Sequence, residues 1–113
     1  MRRVAIAIPL LLAVLSACSQ GGDASTEPVR TDQVDLPKSY RFEPEAIEVD
    51  AGTTVTWTNN DDFPHNVHLL DGSDTTVSLP LGESGTLTFD EPGTVEYECS
   101  LHPQQMQGTV IVR

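Results

Sequence analysis

The sequence predicts an all-β fold, a sandwich or barrel of about seven to eight strands. Three observations carry that reading. Short runs place apolar residues at every second position, the pattern of half-buried strands. Clusters of Gly, Asp, Asn and Pro separate those runs, at "DAGT", "NNDD", "LDGSD", "LGESG" and "DEPGT". No long segment repeats its apolar residues at helical spacing. Short strands punctuated at such intervals belong to sandwiches and barrels.

The chain has 113 residues, which suits one small domain. Its start reads as an address. Arg2 and Arg3 precede the apolar run "VAIAIPLLLAVL", and small residues follow in "LSAC". A charged start, a short apolar stretch and a small-residue break describe a secretory signal. The run is too short for a comfortable membrane span, which disfavours the alternative of an uncleaved anchor. "LSAC" resembles the bacterial lipobox, in which cleavage occurs before a Cys that is then lipidated. The resemblance implies that residues 1–17 are removed and that Cys18 anchors the protein to the membrane. It places the protein at the extracytoplasmic face of a bacterial cell membrane.

Residues 18–37 then read as a flexible linker. "SQGGDASTEPVRTDQVDLP" is polar and has no sustained apolar period, so it has little surface to bury. The alternative, an edge strand near Val29 to Val34, has little apolar pattern behind it. The folded domain is expected over residues 38–113.

Within that domain the strands follow one another. "AIEV" puts Ile47 and Val49 on one face. "TTVTWTN" puts Val55 and Trp57 on one face and Thr54, Thr56 and Thr58 on the other. "GTLTFD" pairs Leu87 with Phe89. "TVEYECS" aligns Val95, Tyr97 and Cys99, with Glu96 and Glu98 opposite. The last strand is "TVIVR". Cys99 thus continues an inward row and sits at a strand end.

Charge excludes one class of partner. The chain carries 6 Lys and Arg against 17 Asp and Glu, and loss of Arg2 and Arg3 leaves a net charge of about −13. No basic patch is available to meet phosphates, so nucleic acid is excluded. Acidity suits solubility outside the cell and steering toward a basic partner.

The chemistry concentrates in "YECSLHPQQMQGTVIV". With Cys18 lipidated, Cys99 is the only thiol left, so it has no disulfide partner within the chain. Met1 departs with the signal, which leaves Met106 as the only thioether. Cys99, His102 and Met106 lie on one loop. A further donor is expected from "DDFPHNVHLLD", where His65 and His68 are three positions apart and point to opposite faces of a strand. His65 shares the inward face with Val67, and Pro64 stiffens the chain before it. His68 points outward with Asn66 and reads as a surface residue. Two imidazoles, a thiolate and a thioether form a soft donor set suited to copper. A His₂Cys plane with a weak axial Met describes a blue-copper electron-transfer site. Thioether is a poor zinc ligand.

"PHNVH", "YECSLHP", "MQGTVIV" and "VDAGTTVTWTNND" together resemble the cupredoxins of the plastocyanin and amicyanin group, over residues 40 to 113. The resemblance implies a Greek-key β-sandwich with one type 1 copper bound by His65, Cys99, His102 and Met106. It implies that Asn66 ties the two ligand segments together and places a backbone N–H near the thiolate. The His102–Met106 spacing departs from the pattern. It is one residue longer than in amicyanin and one shorter than in plastocyanin. That leaves Gln104 and Gln105 as competing axial donors, with Met106 favoured. The resemblance further implies an electron carrier rather than an enzyme, with the His102 edge as the electron's exit. Leu101, Pro103 and Pro64 would supply an apolar rim for transient docking of redox partner proteins by a monomer. The alternative function is a copper-binding module for buffering or delivery.

Overall fold

The computed structural model describes residues 27–113; the expected signal segment and Cys18 lie outside the described residues. Nine strands follow in order: β1 Val29–Arg30, β2 Gln33–Leu36, β3 Ala46–Val49, β4 Thr53–Asn59, β5 His65–Leu69, β6 Thr76–Leu79, β7 Ser84–Phe89, β8 Gly93–Glu98 and β9 Gln107–Val112. There is no helix among the described residues. One sheet runs β1-β3-β9-β8-β5-β6 and the other β2-β4-β7. Consecutive strands often sit in different sheets, so the chain crosses the sandwich repeatedly.

Alternation builds the core. Ile47 and Val49 of β3, Val55 and Trp57 of β4, and Val110 and Val112 of β9 all face inward and are buried. Each such side chain contributes about 1.5–3 kcal/mol on leaving water. The inward rings pack edge to face. Trp57 lies 5.4 Å from Tyr97, and Tyr97 lies 4.8 Å from Phe42. Two glycines make room for this packing. Tyr97 pairs with Gly108 across β8 and β9, and a Cβ on Gly108 would run into the Tyr97 ring. A Cβ on Gly85 of β7 would strike Val77 of β6, across the two sheets.

The structure corrects the expected linker. Residues 29–36 are not a flexible tether but two strands. β2 pairs in parallel with β4, Val34 opposite Trp57 and Leu36 opposite Asn59. Both apolar side chains are buried. β1 pairs with β3, and Arg30 binds Glu48 and Asp50, each at 3.0 Å. Only two apolar positions alternate in "QVDL", too few to stand out locally. The stabilising partners lie far along the chain, in β3 and β4.

One pole of the sandwich gathers the loops that matter. β5 starts beside the end of β6, with His65 opposite Leu79. β8 ends beside the start of β9, with Glu98 opposite Gln107. The end of β4 meets the β6–β7 turn, where Asn59 N–H donates to Glu83 O and Gly82 N–H to Asn59 O. The loops 37–45, 60–64, 80–83 and 99–106 therefore share this pole.

Candidate metal centre

The pole is anchored by Asn59, which is fully buried. Its Nδ2 donates to Phe63 O at 2.9 Å and to Leu79 O at 2.8 Å. Its Oδ1 accepts from Asp61 N–H at 2.9 Å. One side chain thus fixes the loop that leads into His65.

Asp61 is the next link. Its carboxylate is nearly fully buried, accepts the N–H of Asp62 at 2.8 Å and of Tyr40 at 3.3 Å, and lies 2.8 Å from His65 Nε2. Burial pushes the Asp61 carboxyl up, but hydrogen bonds from His65, Asp62 and Tyr40 outweigh it and hold the group below its ordinary value. An ionised carboxylate only accepts, so His65 Nε2 is the donor in this pair. The other ring nitrogen faces Cys99, with Nδ1 3.7 Å from Sγ. A carboxylate on the far nitrogen of an imidazole is the usual arrangement behind a metal-binding histidine.

Cys99 is buried and free. Its Sγ accepts the N–H of Asn66 at 3.4 Å. The Asn66 side chain clasps the residue after it in both directions. Nδ2 donates to Ser100 Oγ at 2.7 Å, and Ser100 N–H donates to Oδ1 at 2.8 Å. The start of β5 and the end of β8 are thereby locked in register around the thiol.

The 99–106 loop is closed by its own backbone. Cys99 N–H donates to Met106 O, and His102 N–H to Cys99 O, both at 3.0 Å. The N–H groups of Gln105 and Met106 both donate to His102 O. Gln104 and Gln105 are exposed, whereas Met106 is completely buried. The His102 ring is half-buried and stands edge-on to His65, with centroids 5.3 Å apart.

The structure thus brings His65 and Cys99 into contact, with the His102 ring beside His65 and Met106 buried at the end of the same loop. No group of three or more His, Cys, Asp and Glu side chains converges as a metal cage among the described residues. The side chains that do gather are two imidazoles and a thiol, with Met106 buried on the same loop, and such soft donors fit copper rather than a hard cation. His68 is not part of it. It faces outward, with Nε2 2.9 Å from Asp74 Oδ1.

Two residues at this pole escaped the sequence reading. Asp61 sat in "NNDD", read only as a turn. Its position four residues before an inward histidine, ahead of a proline, was the available signal. Tyr40 sat at the edge of the expected linker. Its ring contacts His102 at 4.7 Å and His65 at 5.8 Å and stacks on Phe63 at 5.1 Å. Phe63, Leu81 and Leu101 leave exposed apolar surface on the loops of this pole.

A family profile described as copper binding proteins of the plastocyanin/azurin family matches residues 31–113. The chain is similar to amicyanin-alpha of Methylorubrum extorquens, 33% identical over 118 residues and spanning 96% of this chain and 98% of that one. It is similar to amicyanin of Paracoccus denitrificans, 38% identical over 84 residues, which spans 70% of this chain and 63% of that one. Among solved structures it resembles a purple cupredoxin from Nitrosopumilus maritimus. The TM-score is 0.62 at 32% identity, over 72% of this chain and 98% of that one.

Proposed function

The chain belongs to the plastocyanin/azurin family of copper-binding proteins, and from that premise we propose that it carries single electrons on one type 1 copper. His65 through Nδ1, the Cys99 thiolate, His102 and, more weakly, Met106 would hold the copper. The observation that supports it most is the His65–Cys99 contact. Nδ1 of His65 lies 3.7 Å from Sγ, while Nε2 is held by a buried carboxylate.

Bound copper supplies a centre that cycles between two oxidation states one electron apart. The protein's residues do the rest. Asn66 donates its N–H toward the sulfur and so helps to fix its position. Asp61 keeps His65 in one tautomer and one orientation. The sandwich holds both strand ends still, so little needs to rearrange when the charge changes. The half-buried edge of His102 offers a short route outward. Phe63, Pro64, Leu101 and Pro103 form an apolar rim suited to brief docking of a redox partner. No substrate bond is made or broken, so the role is that of a carrier.

Copper buffering or delivery would use the same donors. Release requires donors that open, and Cys99 and Met106 are both fully buried. In the favoured reading the protein is a monomer anchored through lipidated Cys18 at the extracytoplasmic face of a bacterial membrane. The stretch between Cys18 and β1 serves as the spacer. The test is addition of copper(II) to the metal-free protein. An intense thiolate-to-copper absorption, followed by rapid electron exchange with a redox protein and slow loss of metal to a chelator, is expected. Rapid loss to the chelator without electron exchange would favour delivery, and no blue form at all would defeat both readings.

A further inference from the structure

Among the described residues the His102 ring makes ring contacts and no side-chain hydrogen bond. The His102 backbone N–H and C=O are engaged within the loop, whereas its ring meets other rings. The shorter ring contact is with Tyr40. The centroids are 4.7 Å apart, with an interplanar angle of 67°. Tyr40 also meets His65 edge-on, at 5.8 Å and 84°. One tyrosine therefore wedges against both imidazoles.

Tyr40 reaches this position through an unfavourable backbone. Ser39 and Tyr40 have φ of 88° and 56°, the left-handed region that non-glycine residues avoid. Such geometry persists where its surroundings over-determine it, and it concentrates at functional sites. Three ties supply that constraint here. The Tyr40 N–H donates to Asp61 Oδ2 at 3.3 Å. Lys38 Nζ binds both Asp62 oxygens, at 2.8 and 2.7 Å. The Tyr40 ring stacks on Phe63, with centroids 5.1 Å apart and planes 22° from parallel. The loop around Tyr40 is thus bound at three successive points to the loop that carries Asp61, Asp62 and Phe63.

We propose that Tyr40 is a positioning residue that sets the orientation of the His102 imidazole, and that Asp61 couples the two histidines by holding His65 directly and Tyr40 through its backbone. An imidazole that binds metal must aim one lone pair, and a ring free to rotate loses that aim. Edge-to-face packing fixes ring orientation without a hydrogen bond. The contacts are made by the Tyr40 ring, so phenylalanine retains the function and leucine, which fills similar space without a ring, loses it. The inference rests on His65 and His102 being ligands, and its test is arranged so that the two can fail separately.

The experiment is NMR of the metal-free protein with labelled aromatic rings. The wild type should show cross-relaxation between the Tyr40 and His102 rings and restricted His102 ring motion. Tyr40→Leu should make that motion several-fold greater, and Tyr40→Phe should restore it. In the copper-loaded protein, Tyr40→Leu should shift the reduction potential and the thiolate absorption while Tyr40→Phe leaves both in place. Unchanged His102 ring motion in Tyr40→Leu would overturn the proposal. If Tyr40→Leu does not fold, the wild type decides, because absence of Tyr40–His102 cross-relaxation overturns it equally. A wild type that stays colourless with copper(II), yet shows the Tyr40 effect without metal, would remove the ligand assignment and leave the positioning role standing.

Discussion

His65 and His68 lie three positions apart on one strand, and each has a carboxylate within hydrogen-bond distance of Nε2. The distances are nearly equal, 2.8 Å to Asp61 and 2.9 Å to Asp74. Their surroundings differ completely. The side chains of His65 and Asp61 are 0% and 3% exposed, while Asp74 is 92% exposed. His65 turns its second nitrogen toward a buried thiol. His68 turns its second nitrogen toward Glu98, 3.7 Å away. A histidine–carboxylate pair is therefore not a functional signature in itself. Inward, it holds the ring with its second nitrogen against a buried thiol. Outward, it is a screened surface contact of small energetic consequence.

The largest effect should come from the thiol that only the inward histidine meets. Cys99→Ser is expected to abolish the thiolate-to-copper absorption entirely while leaving the far-ultraviolet circular dichroism of the sandwich unchanged. Retention of an intense visible band would show that the chromophore lies elsewhere.

Next is the carboxylate that distinguishes the inward pair. Asp61→Asn keeps the shape but removes the charge and one acceptor oxygen. The variant should lose about 2 kcal/mol of stability in urea unfolding, since a buried charge-assisted hydrogen bond is broken. Its reduction potential should rise, because His65 becomes a weaker donor to oxidised copper. A wild-type-like unfolding midpoint and potential would mean that the inward pair matters no more than the outward one.

A smaller change is expected at the buried thioether. Met106→Leu preserves apolar volume in a buried site, so it should retain copper and thiolate absorption while raising the potential. Equal potential and spectrum would exclude Met106 as a donor and turn attention to Gln104 and Gln105.

The smallest effect belongs to the outward pair. The hydrogen bond to Asp74, opposed by partial burial and aided by Asp74 and Glu98 charge, raises the His68 pKa above its ordinary value. A raised folded value means that the His68 contribution is complete below the unfolded pKa of about 6.5 and fades as pH rises through the folded one. Asp74→Asn is well suited to isolate the charge, because Asp74 has a φ of 60° and asparagine tolerates that conformation. An NMR titration of His68 should show its pKa fall in this variant, with no change in the copper spectrum. An unaltered His68 titration would show that Asp74 is not its partner.

How far this contrast could be read from sequence depends on which physics produced it. Alternation along "PHNVHLL" placed His65 inward with Val67 and His68 outward, because side-chain direction in a strand is local. The inward row Val95, Tyr97 and Cys99 was legible for the same reason. The Greek-key arrangement and the role of Asn66 came from family resemblance, not from periodicity. β2 was hidden because Val34 and Leu36 gain their burial against Trp57 and Asn59, far along the chain. Asp61 and Tyr40 were hidden because loops have no period. Their meeting depends on left-handed residues at 39 and 40 that no residue type there announces.

The contrast is tested most directly by copper(II) titration of His65→Ala and His68→Ala side by side, read by visible absorption and electron paramagnetic resonance. His68→Ala should keep the blue site of the wild type and His65→Ala should lose it. Retention of the blue site in His65→Ala, or equal loss in both variants, would contradict the contrast.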